Sequence, residues 1–297
     1  MADQKDSKRR ASLPLLAGSL IAAAGLVFGG IATASANHAQ GHHHAAHHPR
    51  PHPMSTVPPK HGDAIPNVTL VENQIKAYYG SVSGTIGTDN RAVTLPDPKA
   101  NYAKEMRHLV ARAKVYFTHA MKQWKNHNHG SKKPALIFDI DDTTLNTYDY
   151  EIFSNFAYNP TTNQDFVNNA DFPRVFAMPG FVNWAHRDGY SIFFLTGRPE
   201  HQRAGTVTNL TRAGYKVPLD TTHVYLKYES GTTPPSYVHC TGTGGTCTTI
   251  DYKSGTRAHI ASTGYRILGD FGDQLSDLKG GHAGHKVKLP NPMYYLP

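Results

Sequence analysis

Three carboxylates, Asp139, Asp141 and Asp142, follow directly on the apolar run Ala135-Leu136-Ile137-Phe138 in the stretch ALIFDIDDTTL. Like charges at the mouth of a core element repel, and at ~4 Å with an effective dielectric of ~20 each pair costs roughly 4 kcal/mol. A bound divalent cation is the natural compensation. Two further clusters lie downstream. Thr196-Gly197-Arg198 follows one apolar run, and Gly269-Asp270-Phe271-Gly272-Asp273-Gln274-Leu275-Ser276-Asp277 follows another, with Tyr252-Lys253-Ser254 between them near a helix start. Carboxylates, a hydroxyl, a glycine and a lysine are together the residue types that handle phosphate with Mg2+.

The elements that must position these groups are legible in the apolar periodicity. Strands are expected over 135–139, 191–195, 223–226 and 265–268, and helices over 181–187, 200–213 and 254–262, several ending at a glycine. Strands alternating with helices predict a parallel sheet covered on both faces, a three-layer Rossmann-like α/β fold. In such sheets the ligand lies beyond the carboxyl ends of the strands, which is where the clusters above fall. Ahead of the sheet, helices are expected over 70–79, stopped by Gly80, and over 102–124. In the second, Tyr102, Met106, Leu109, Val110, Ala113, Phe117, Ala120, Met121 and Trp124 form one apolar face, read as core. The aromatic stretch 148–176 reads as irregular.

The chain of 297 residues begins with Lys5, Lys8, Arg9 and Arg10, then an uncharged run to Ala36 ending in Ala34-Ser35-Ala36. This predicts a cleaved signal peptide over 1–36, a secreted or cell-surface location, and no stable membrane insertion once it is removed. Cleavage would lower the formal charge from +8 to +6. That excess is spread along the chain without a nucleic-acid motif, so no nucleic-acid polymer is expected as partner, while a positive field favours anionic substrates. Residues 37–65 form a His- and Pro-rich linker with too few large apolar residues for a core, read either as a spacer or as a loose binder of Zn2+, Cu2+ or Ni2+. Export also predicts that Cys240 and Cys247, the only cysteines, pair and pin a hairpin in the loop HCTGTGGTCTT, at about 2–3 kcal/mol.

Four segments in order resemble the motifs of the haloacid-dehalogenase-like (HAD) superfamily: Asp139-x-Asp141-x-Thr143, Thr196 at a strand end, Lys253, and Gly272-Asp273 with Asp277. The flanks FDIDDTTL, FFLTGRPE, TVTNLTRAGY, YKSGTR and GYRILGDFGDQLSDL are similar to those of secreted acid phosphatases related to the bacterial class B enzymes and the plant vegetative storage proteins. The likeness spans roughly 66–280, within a domain taken as 66–297. It implies a HAD-like core with N-terminal helices and a small cap over about 146–178. It also implies a Mg2+-dependent acid phosphatase that hydrolyses small phosphomonoesters through an aspartyl-phosphate.

On that resemblance Asp139 is the nucleophile and Asp141 the acid and base, with the Asp141 backbone carbonyl a metal ligand. Asp273 is the other metal carboxylate and Asp277 its outer partner holding a water. Asp142 is read as an outer or solvated group, Thr143 as a turn cap, and Asp270 stays out of the metal shell. Thr196 offers a hydroxyl and backbone N–H to the phosphoryl group and Gly197 lets the backbone approach closely, with Thr196 alternatively a helix N-cap. Arg198 either reaches phosphate or braces its loop. Lys253 is preferred over Lys227 as the motif lysine. Tyr148, Tyr150, Phe153, Phe156 and Tyr158 either stack on an aromatic leaving group or pack the cap. The rival readings are a phosphotransferase that passes the phosphoryl group to an alcohol, a non-catalytic storage or surface protein, and a metal buffer working through its His tail.

Overall fold

The central sheet has five parallel strands in the order β5-β4-β3-β6-β7. The computed structural model describes residues 65–86, 90–127 and 130–296; the expected leader and the His- and Pro-rich stretch to residue 64 lie outside them. In chain order the elements are α1 (Val68–Tyr79), β1 (Ser81–Ile86), β2 (Arg91–Pro96), α2 (Asn101–Asn126), β3 (Lys133–Phe138), α3 (Tyr148–Phe153), α4 (Pro160–Asn168), α5 (Met178–Asp188), β4 (Ser191–Pro199), α6 (Arg203–Arg212), β5 (Val224–Lys227), α7 (Thr249–Ser262), β6 (Tyr265–Gly272), α8 (Leu275–Leu278) and β7 (His285–Lys288).

Strand alternation divides the sheet's side chains between two cores. Leu136 and Phe138 of β3 pack with α2 and α5 residues such as Phe117 and Phe181, while Ala135 and Ile137 pack with Tyr252 and Ile260 of α7. Both faces of β3 are therefore buried, which is why it reads as an unbroken apolar run. Strand order reverses between β3 and β6, and these neighbours stay hydrogen-bonded past the end of β3, where Asp139 N–H donates to the Phe271 carbonyl at 2.9 Å. That reversal is the switch point at which an open parallel sheet leaves a crevice beyond its carboxyl edge.

Several elements differ from the sequence expectation. A β1–β2 hairpin, antiparallel from Ser81↔Pro96 to Ile86↔Arg91, fills a stretch read without structure. Its SVSGTI strand alternates exposed Ser81, Ser83 and Thr85 with partly buried Val82, Gly84 and Ile86, a pattern with only two large apolar residues to signal it. The aromatic stretch contains two short helices, and α4 has a cap legible in hindsight: Asn159 Oδ1 accepts from the Thr161 and Thr162 N–H groups at 3.0 and 3.2 Å, with Pro160 opening the helix. Strands β4 and β6 run on to Pro199 and Gly272, so Thr196 and Asp270 lie inside strands rather than after them. A fifth strand, β7, extends the sheet along β6.

Cys240 and Cys247 are disulfide-bonded. The loop they close is a short 3-10 turn rather than the expected hairpin, and it is held from below by Asp251 in the first turn of α7. The Asp251 carboxylate accepts from the N–H of Thr241 and Thr248 at 3.0 and 2.9 Å and from the Thr241 hydroxyl at 2.7 Å. In return the Thr248 hydroxyl accepts from Asp251 N–H at 3.1 Å, closing a capping box. Burial alone would raise this carboxyl, but the converging donors outweigh it and hold the pKa down to about 2. A group depressed in the folded state stabilises above its unfolded value of about 4 and loses that contribution as pH falls. Asp251→Asn is thus expected to cost about 1–2 kcal/mol at neutral pH. The gap in melting temperature from wild type should close between about pH 4 and pH 2. A gap that does not vary with pH would show that the charge is not what holds the loop.

Candidate active site

Three loops meet at the carboxyl edge of β3, β4 and β6. The first, after β3, is a tight turn in which the Ile140 carbonyl accepts from Thr144 and Leu145 N–H, both at 2.9 Å. Its geometry needs Asp142 at φ 53°, a left-handed conformation that Asp tolerates better than most residues. Asp142 is not solvated. It is fully buried and accepts from the Thr147 hydroxyl at 2.5 Å, Thr147 N–H at 3.1 Å and the Tyr294 hydroxyl at 2.9 Å. Thr147 occupies the N-cap position of α3, so Asp142 ties the turn to the start of that helix. Burial pushes its carboxyl up to about 7 against the pull of these bonds. Thr143 does not cap the turn; its hydroxyl donates to Asp273 Oδ1 at 3.2 Å.

At the centre, Asp139, Asp273 and Asp277 bring carboxylate oxygens within 4.8 Å of one another, all buried. Lys253 faces them from α7. Lys253 Nζ pairs with Asp139, lies 2.9 Å from Asp277 Oδ1 and donates to the Leu195 carbonyl of β4 at 2.8 Å. Burial alone would lower the Lys253 pKa, but Asp139 and Asp277 override it and hold the ammonium charged. Lys253 therefore stands where the motif lysine was expected; Lys227 ends β5. Asp277 faces Gly272, where any Cβ would run into its side chain, and this close approach is what the glycine of the Gly-Asp-x-x-x-Asp pattern provides.

The carboxylates outnumber the lysine, and their titration reflects it. Burial drives the Asp139 carboxyl well above its ordinary range against the pull of Lys253, and Asp277, Asp273 and Asp141 push the same way. Burial, then Asp277 and Asp142, raise Asp273 to about 7. A cluster of hard oxygen donors with a surplus of negative charge fits a divalent cation such as Mg2+. Asp270 stays apart, paired with fully buried Arg257 at 3.1 Å.

Asp141, Thr196, Gly197 and Arg198 complete the predicted set. Arg198 forks onto Asp141, Nη2 to Oδ1 at 2.5 Å and Nε to Oδ2 at 3.0 Å, and its Nη1 donates to the Thr206 hydroxyl at 3.1 Å. Thr196 is fully buried within β4, and its hydroxyl accepts from Arg198 N–H at 3.1 Å, so it caps no helix. Gly197 is exposed, and a Cβ there would meet nothing within 4 Å. In α3 the buried Glu151 carboxyl is pushed up to about 7 by burial and by Asp141. The aromatics of the 146–178 stretch divide: Tyr148 and Tyr150 pack in the core, with Tyr148 stacked on Tyr79 at 4.5 Å, whereas Phe153 and Tyr158 are 63% and 71% exposed. Sequence reasoning missed Gln274 and Asn291, whose side-chain amides donate to Asp273 Oδ2 at 2.7 and 2.8 Å, and Tyr294 on Asp142. Nothing local in Leu289-Pro290-Asn291-Pro292 signals such contacts.

Comparison with known proteins bears on this geometry. A family model described as HAD superfamily, subfamily IIIB (Acid phosphatase), matches residues 69–297. The chain is 34% identical to Acid phosphatase 1 of Solanum lycopersicum over 170 residues, 55% of this chain and 60% of that protein. It is 32% identical to a Stem 31 kDa glycoprotein of Glycine max over 185 residues, 61% and 65% of the two chains. Vegetative storage protein 1 of Arabidopsis thaliana is 28% identical over 167 residues, 54% of this chain and 55% of that one. The matches thus span roughly three fifths of these relatives' length. Among solved structures, the class C acid phosphatase from Bacillus anthracis with tungstate bound superposes with a TM-score of 0.51 at 19% identity, over 76% of this chain and 86% of that one, a likeness of fold.

Proposed function

Because the chain belongs to the HAD superfamily, subfamily IIIB, the acid phosphatases, we propose that it is a secreted, Mg2+-dependent phosphomonoesterase working through an aspartyl-phosphate. The observation that carries this reading is the buried cluster of Asp139, Asp273 and Asp277 around Lys253 at the switch point of the sheet. Mg2+ would be held by Asp139, the Asp141 carbonyl and Asp273, with Asp277 beside it, and would supply charge stabilisation for the phosphoryl group.

In this reading Asp139 attacks phosphorus in line, a bond from its carboxylate oxygen forms, and the bond to the leaving oxygen breaks. Asp141 gives that oxygen a proton, then takes one from the water that hydrolyses the aspartyl-phosphate. Lys253 offsets the negative charge that Asp139 and the incoming phosphoryl group bring together. Thr196 and Gly197 offer donors to the phosphoryl oxygens. Arg198, which holds Asp141 in the free site, is drawn toward an incoming dianion and leaves Asp141 free to move its proton. The 146–178 stretch serves as a cap over the site, and its solvent-exposed Phe153 and Tyr158 are available to stack on an aromatic leaving group.

The storage names among the relatives raise the non-catalytic alternative. Loss of the nucleophile would mark it, and Asp139 is present and paired with Lys253. Purified protein assayed against a panel of phosphomonoesters, with Mg2+ and with excess chelator, tests the proposal. Chelation is expected to lower turnover by on the order of 10²–10³-fold, the scale on which a lost electrostatic stabiliser acts, and Mg2+ to restore it. Full turnover in chelator after dialysis would exclude the metal-dependent reading, and no turnover of any ester with Mg2+ would favour the storage alternative.

A further inference from the structure

Beyond β7 the chain turns back across the site as a strap. Leu289 is fully buried and its N–H donates to the Gly272 carbonyl at 2.9 Å, which carries the β6–β7 pairing into the strap. Asn291 Oδ1 then accepts from Met293 N–H at 2.9 Å, a local turn that aims the amide nitrogen of the same side chain at Asp273 Oδ2, 2.8 Å away. Tyr294 donates its hydroxyl to Asp142 Oδ2 at 2.9 Å, and Leu296 N–H donates to Gln274 Oε1 at 3.1 Å. Gln274 in turn gives its amide to the same Asp273 oxygen that Asn291 holds, at 2.7 Å. One segment of chain thus grips both carboxylate loops of the site, the turn after β3 through Asp142 and the turn after β6 through Asp273.

We propose that this C-terminal strap sets the cation affinity of the site, with Asn291 as the positioning residue that fixes the Asp273 carboxylate; the proposal rests on reading Asp139 and Asp273 as cation ligands. A lone carboxylate rotates about its terminal bond, and a rotating ligand binds a cation more weakly than one already oriented. Two neutral amides on Oδ2 remove that freedom and leave Oδ1, with only the 3.2 Å bond from Thr143, as the less encumbered oxygen. Neither amide adds a charge that would compete with the cation. Because Gln274 shares the task, removing Asn291 weakens the site without destroying it.

Calorimetric titration of Mg2+ into the full chain tests this in the wild type and in Asn291→Ala, Asn291→Ser and Asp273→Asn. Ser at 291 retains an acceptor for Met293 N–H but is too short to reach Asp273, so it separates folding of the strap from positioning of the carboxylate. Both Asn291 variants are expected to raise the Kd for Mg2+ about tenfold, the lower end of the range for outer partners of metal ligands, and Asp273→Asn to lose measurable binding. Wild-type Kd in the Asn291 variants alongside loss in Asp273→Asn overturns the role of the strap and leaves the cation site standing. Undisturbed binding in Asp273→Asn overturns the cation reading itself. A purely structural role for Asn291 would move the melting temperature and not the Kd.

Discussion

Asp139→Asn is expected to lower turnover of every phosphomonoester by on the order of 10⁵-fold or more, because the covalent step cannot start without the carboxylate. The substitution preserves shape, and Lys253 keeps its 2.9 Å contact with Asp277 and its bond to the Leu195 carbonyl. It also removes one of three buried carboxylates crowded within 4.8 Å. The loss of activity should therefore come with a melting temperature equal to or above that of wild type when no divalent cation is added. That pairing, an inactive protein no less stable, separates loss of a nucleophile from loss of fold. Kinetics and melting curves on the same preparations decide it. Retained turnover would transfer the nucleophile's role elsewhere, and inactivity with a large drop in melting temperature would make Asp139 a structural residue.

Legibility in the residues alone tracks the physics of each element. Strand β3 is legible because a strand buried on both faces is a continuous apolar run, and Ala135 to Phe138 is one. Helix α2 is legible because Tyr102, Met106, Val110, Ala113, Phe117 and Met121 repeat with the helical period and are all buried. The hairpin β1–β2 is not, since the partly buried face of its first strand shows only Val82 and Ile86, separated by Gly84. Helices α3 and α4 are too short for a period to emerge. In the site, Asp139, Lys253, Asp273 and Asp277 converge, because the motif spacing places each just past a strand or in a helix that crosses the same edge. Asp142 reads as an outer or solvated group, and nothing in its neighbours signals the bond from Tyr294, which lies 152 residues along the chain. The roles of Asn291 and Gln274 are illegible for a related reason: a single side-chain amide reaching a carboxylate leaves no pattern in its neighbours.

Replacing Asp141 by Asn should act differently from the change at Asp139, and the difference depends on the leaving group. An alkyl alkoxide is a poor leaving group and needs a proton as it departs, whereas a nitrophenolate is stable without one. Asp141→Asn is therefore expected to slow formation of the aspartyl-phosphate from alkyl phosphates by on the order of 10²–10⁴-fold, the range for general acid–base catalysis, and to slow that step far less for nitrophenyl phosphate. Breakdown of the aspartyl-phosphate requires Asp141 again, now as the base that takes a proton from water. With nitrophenyl phosphate the variant should thus release one equivalent of nitrophenol rapidly and then stall. The geometry adds a second expectation. Asp141 shares both oxygens with Arg198, and an Asn there keeps one acceptor but loses the charge that holds the guanidinium. Arg198 is then freer to meet an incoming dianion, so KM for nitrophenyl phosphate should fall or hold steady rather than rise. Stopped-flow measurements with both substrate types read all three effects. Equal slowing of both, without a burst, would make Asp141 a partner of Arg198 alone and remove it from proton transfer.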